Sequence, residues 1–139
     1  MPKKVHKLKD QQEEAFQLIA IASHQSDYRL SWALNRKLNW NFQKAEDLTV
    51  QNPKSSGEQH FNTYSYTDSH NRTIYLIANK SADGFLFPSM TNIDFLLKAN
   101  GLPDNDIHLM ITRIRQIDFV ITAFRLENLS SKDRKKIIF

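Results

Sequence analysis

Two segments of this chain carry an apolar stripe at helical spacing, and each is flanked by runs that read as strands. In HQSDYRLSWALNRKLNW, Leu30, Ala33, Leu34 and Leu38 follow Ser26 or Asp27, either of which can cap the helix. In PDNDIHLMITRIRQI the stripe is Ile107, Met110, Ile111 and Ile114, with Pro103 suited to the first turn. Asp104 and Asp106 at its start and Arg113 and Arg115 at its end complement the helix dipole. Ahead of the first stripe lies AFQLIAIAS (15–23), apolar on both parities, which fits an internal strand covered from two sides. After it, NFQKAEDLTV (41–50) places Phe42, Leu48 and Val50 on one parity, as an edge strand would. The second stripe lies between NIDFLLKANG (92–101) and DFVITAFRLE (118–127). The former permits a short helix but reads as a strand, with Ile93, Phe95 and Leu97 on one face and Asp94 on the other.

Between these two units, HFNTYSYT (60–67) and RTIYLIANK (72–80) are β-rich runs joined by the four polar residues DSHN, a hairpin signal. The order predicts an α+β fold: a ferredoxin-like split βαβ arrangement with an inserted β-hairpin, an antiparallel sheet and two helices on one face. QNPKSSGEQ (51–59) is the strongest loop signal. In FLFPSMTNIDFLL (85–97), Pro88 stops one extended segment before the next begins. The chain divides into a basic flexible leader (1–13), one α+β domain (14–127) and a basic C-terminal tail (128–139), whose Ile137, Ile138 and Phe139 either dock or fray.

Charge sharpens the functional reading. The net +4 is concentrated at the ends: residues 1–10 and 128–139 each carry +3, while 11–127 carry −2. Short basic ends attract polyanions without reading them specifically, so nucleic acid is an alternative partner and not the favoured one. The absence of cysteine excludes disulfides, thiolate metal sites and a thiol nucleophile, and suits a cytoplasmic location. QLIAIAS is too short to span a bilayer, so no membrane association or export is expected.

With these segments placed, FPSMTNIDF (87–95) resembles the signature of a bacterial family of unknown function named for its motif I-P-E-x-x-x-V-D-Y, keeping Pro88 and Asp94 at that spacing. SHQSDYRLSWALN (23–35) and YLIANKSADGFLFP (75–88) are similar to flanking stretches of the same family. The resemblance implies a small cytosolic bacterial protein and brings no reaction, cofactor or catalytic residue with it. Ser89 stands where the motif has its glutamate and Phe95 where it has its tyrosine, so any chemistry resting on those groups would be absent.

His24, Asp27 and Arg29 sit between a strand and a helix start, where Asp27 would orient His24 as a base and Arg29 would hold an anion; a cap and a salt bridge are the plainer reading. Asp94, an acid within an apolar run, must face solvent, pair with a cation or accept backbone hydrogen bonds. Tyr64, Tyr66 and Tyr75 offer an aromatic surface on the hairpin, for a subunit interface or for stacking RNA bases. The five histidines show no metal-ligand spacing, and no phosphate-binding loop or nucleophile elbow is present, so neither metal nor cofactor is expected. The expectation is a non-catalytic cytosolic module that forms a homodimer and binds a protein or small molecule. The alternatives are an RNA or polyanion binder and an enzyme centred on His24, Asp27 and Arg29.

Overall fold

A strand that is apolar on both parities needs cover on both sides, and β1 (Phe16–Ser23) has it. The computed structural model describes residues 16–51, 57–82 and 84–139. In it β1 lies between β10 (Val120–Arg125) and β9 (Phe95–Asn100). Beyond β9 come β6 (Thr73–Ala78), β5 (Thr63–Thr67) and the two-residue β2 (Gln43–Lys44). The six-stranded sheet has the order β10-β1-β9-β6-β5-β2, antiparallel at every pairing. Two ribbons lie outside it: β3 (Leu48–Gln51) with β4 (Glu58–Phe61), and β7 (Lys80–Ser81) with β8 (Gly84–Phe85). With α1 (Asp27–Leu38), α2 (Asp104–Arg115) and α3 (Ser131–Lys136), the fold is α+β.

One face of the sheet takes α1 and α2. Leu30, Leu34 and Leu38 of α1 and Ile107, Met110, Ile111 and Ile114 of α2 pack on Ile19, Ile21, Leu76 and Leu97. Full burial of a leucine such as Leu34 contributes about 1.5–3 kcal/mol relative to exposure, so the stripe outweighs any cap. Ser26, not Asp27, caps α1, its Oγ accepting from Arg29 N at 3.3 Å. Asn39 ends the helix in the left-handed region at φ 58°. Pro103 takes the N-cap position of α2, ahead of Asp104 and Asp106 in its first turn.

The other face buries Phe16, Leu18, Ala20, Ile77 and Leu96 under separate pieces of chain: Phe61 of β4, Leu86, Phe87 and Ile93 of the 86–93 segment, and Ile137 just after α3. The C-terminal tail therefore docks on its own core, with Ile137 fully buried. Lys98 is also buried on this side, in β9 between Leu18 and Tyr75. Its Nζ lies 3.7 Å from the Phe139 ring centroid, 5.3 Å from that of Phe16 and 5.9 Å from that of Tyr75, and donates to Phe139 O at 3.3 Å.

Three element boundaries differ from those expected. The run 41–50 divides: β2 joins the main sheet while β3 pairs with β4 in the covering ribbon. The run 60–67 breaks at Asn62, between β4 and β5. The strand expected over 92–101 begins only at Phe95, because Ile93 N donates to Met90 O at 3.1 Å and closes a turn. That turn sends Ile93 to the segment side of the sheet and Phe95 to the helix side, so the two do not share a face. The leader 1–13 lies outside the described residues. No described helix is long and apolar enough to cross a membrane.

Candidate functional site: a cleft at the end of β1

The segment containing Pro88 and Asp94 is held from two points, and its anchors shape the cleft beside it. Asn79, fully buried after β6, donates from Nδ2 to Met90 O at 3.0 Å and Ile93 O at 2.8 Å, and its Oδ1 accepts from Phe87 N at 2.9 Å. Its main chain adds Leu86 N to Asn79 O at 2.7 Å and Asn79 N to Asp94 O at 2.9 Å. A buried side-chain amide thus satisfies the polar backbone of a non-repetitive segment that no strand partners.

Asp94 is the second anchor. It is half-buried, and its Oδ2 accepts from Ser23 N at 2.7 Å, a charge-assisted bond at the last residue of β1. At this position the β1–β10 register shifts: Ala22 pairs with Thr122 and Ser23 with Val120, leaving Ile121 as the extra residue of a bulge. Ser23 Oγ donates to Phe119 O at 3.0 Å and accepts from Gln25 N at 3.3 Å, so Ser23 turns the chain towards α1. The consequence is that His24 emerges beside Asp94 and not within the sheet.

A cleft of about 310 Å³ opens there, lined by Ser23, His24, Gln25, Asp27, Asn62, Ala78, Lys80, Asp94 and Phe95. Four ionisable side chains from three separate segments converge: His24 and Asp27 from the turn into α1, Lys80 from β7 and Asp94 from the 86–93 segment's end. Three of the four expected site residues are brought together. Arg29 is not, since it is exposed on α1 and does not line the cleft. Lys80 and Asn62 were not singled out by sequence reasoning; a lysine and an asparagine at strand ends carry no signal until the strands are placed.

Among the described residues, no two side chains of the cleft are hydrogen-bonded to each other. Asp27 Oδ1 accepts from Tyr28 N at 2.8 Å and Asp94 is committed to Ser23 N, while His24 makes no hydrogen bond among the described residues. No group of three histidine or carboxylate side chains suited to a metal ion occurs among those residues.

The tyrosines do not form one surface. Tyr64 belongs to the helix-side core, where burial, then the negative charge of Asp27, then Tyr28, push its phenol above the ordinary value of 10.0. Tyr66, on the same face, stacks on Trp40 with centroids 5.6 Å apart and planes at 17°. Tyr75 lies on the opposite face, edge-on to Phe139 at 4.8 Å. Alternation along β5 and β6 explains this, because Tyr64 is paired with Leu76, and Tyr75, one residue away, points through the sheet.

A smaller hollow of about 180 Å³ lies between the helices and the β5–β6 turn, with Leu38, Trp40, Ile74 and Met110 below and Arg72 and Arg113 at its rim. The chain matches no protein-family model, and a search of curated proteins finds no relative.

Proposed function

We propose that this chain is a non-catalytic binding module whose ligand is a small polar molecule held in the cleft at the end of β1. The observation that carries the reading is the convergence of His24, Asp27, Lys80 and Asp94 on one opening of about 310 Å³. Mixed charge suits a ligand bearing both an anionic and a cationic group, Lys80 facing the first and the carboxylates the second. An enzyme centred on His24, Asp27 and Arg29 has less support, since Arg29 stands apart and both carboxylates hold backbone amides. The test is an NMR screen of the full chain against a metabolite extract, following the His24 ring and Lys80 Nζ-adjacent signals. Binding that shifts both and is lost in Lys80→Ala supports the reading; an extract that moves neither overturns it.

The fold reading proposed alongside it is the ferredoxin-like split βαβ arrangement: β10-β1-β9-β6 with α1 and α2 on one face supports it, β5 and β2 being an extension at the β6 edge. Membership of the family named for I-P-E-x-x-x-V-D-Y, and with it a bacterial cytoplasmic origin, rests on Pro88, Asp94 and their spacing. The homodimer is proposed to form not on the tyrosines but along β10, the open sheet edge, which exposes Ile121 and Phe124. Sedimentation of Ile121→Lys as a monomer beside a dimeric wild type would support it, and a monomeric wild type would remove it.

A further inference from the structure

The outer face of α1 presents a surface that neither the cleft nor the core uses. Tyr28 and Trp32 are 68% and 56% exposed, far more than a packed aromatic, and they sit one turn apart on the same side of the helix. Arg36 continues the row, its guanidinium 4.8 Å from the Trp32 ring centroid. Arg29 is exposed beside this row, and neither Arg29 nor Arg36 is ion-paired among the described residues. Asp27, the one acidic residue of α1, faces the cleft. The face is therefore aromatic and cationic with nothing on the helix to neutralise it.

We propose that this face of α1 binds single-stranded nucleic acid, the rings of Tyr28 and Trp32 stacking on bases and Arg29 and Arg36 meeting phosphates. Charge and shape select this occupant. Pairing α1 with α1 of a second copy through this face would set the Arg29 and Arg36 cations of the two copies against one another, which like-charge repulsion disfavours. An acidic protein segment would meet the cations but has no use for two flat rings, whereas every base has a face to stack on them. Four residues of helix rise place the rings about 6 Å apart along the axis, within reach of consecutive nucleotides of an extended strand. The surface differs from the one expected from the tyrosines of the sheet: Tyr64 is buried and Tyr75 lies on the far side.

The experiment uses the full chain with fluorescein-labelled 12-nucleotide uridine and thymidine oligomers at about 50 mM salt, read by anisotropy. Tyr28→Ala and Trp32→Ala are each expected to weaken binding about tenfold, and the pair about a hundredfold, the size of losing one and two stacked bases. Both side chains are exposed, so the variants keep the fold. Arg29→Gln with Arg36→Gln should lower the slope of log affinity against log salt by about 1.4, as two phosphate contacts to a single strand require. No binding by wild type overturns the proposal, as does unchanged binding by the Tyr28→Ala, Trp32→Ala pair, which would place the interaction on the basic ends. Equal competition by poly-glutamate would overturn it in favour of an acidic protein partner, and a dimer that dissociates on Trp32→Ala in favour of a second copy.

Discussion

The two faces of the sheet bury comparable side chains by different means. On the helix side, α1 and α2 bring their residues as stripes, and each helix satisfies its own backbone. On the other side, Phe61, Phe87 and Ile137, all fully buried, come from three distant segments, of which only that of Phe61 is a paired strand. That side needs side chains to complete the backbone bonding, and Asn79 and Asp94 supply it. A face built from helices tolerates a lost polar side chain. A face built from segments does not.

The comparison predicts that truncating a large residue costs as much on the segment side as on the helix side. Phe87→Ala should lose about 3–5 kcal/mol in urea unfolding, at least matching the roughly 2–5 kcal/mol of Leu34→Ala. A loss below about 1 kcal/mol for Phe87→Ala would mean that the segment is a loose cover and not core. Next in size is Asn79→Ala, which strands Phe87 N and Ile93 O, while Met90 O keeps its bond from Ile93 N. About 2–4 kcal/mol is expected, because each of these two buried groups left unsatisfied costs about 1–3 kcal/mol. Hydrogen exchange should also quicken at Leu86 and Phe87 while Leu34 stays protected; uniform quickening would show that the two faces do not open separately.

A smaller effect tests the link between the segment and the cleft. Asp94→Ala removes the charge-assisted bond to Ser23 N and should cost about 1.5–3 kcal/mol. Because Ser23 directs the chain to His24, the His24 ring resonances should shift as well. Unmoved resonances would separate the anchor from the cleft.

What the sequence disclosed follows the same division. Of the three described helices, α1 and α2 were legible because Leu30, Leu34 and Leu38, or Ile107, Ile111 and Ile114, repeat at helical spacing, whereas the short α3, with no buried residue of its own, reads only as a basic tail. β1 was legible through its two-sided apolarity. The segment face was less so: Phe61, Phe87 and Ile137 belong to runs too short to show a period, the sequence lets Ile137 either dock or fray, and burial there depends on contacts tens of residues apart. Asp94 was narrowed to three roles in advance, and accepting a backbone hydrogen bond is the one it has. His24 and Asp27 were found because a strand-to-helix turn is local; Lys80 was missed because its approach to them depends on how β6 sits in the sheet.

The weakest of the polar anchors is the one on the hairpin, and its dependence on pH sharpens the contrast with Asn79. Asp68 closes the β5–β6 turn together with two main-chain bonds, Asp68 N to Arg72 O and Asn71 N to Asp68 O: its Oδ1 accepts from His70 N and Arg72 N at 2.9 Å each, and its Oδ2 from Arg72 Nε at 2.9 Å. Burial by itself would favour the neutral acid, but these bonds and the Arg72 charge outweigh it and hold the carboxyl below its ordinary 3.8. A carboxylate depressed in the folded state binds protons more readily when unfolded, so its contribution is fully present above the unfolded value near 4 and fades as pH falls through the folded one. Wild type should therefore lose thermal stability on the acid side faster than Asp68→Asn, the two midpoints converging as pH falls below about 4. Because the turn is local and its strands are paired along their length, the gap at pH 7 should be smaller than that for Asn79→Ala. A gap as large, or one constant with pH, would show that the hairpin turn holds more of the fold than its few local bonds provide.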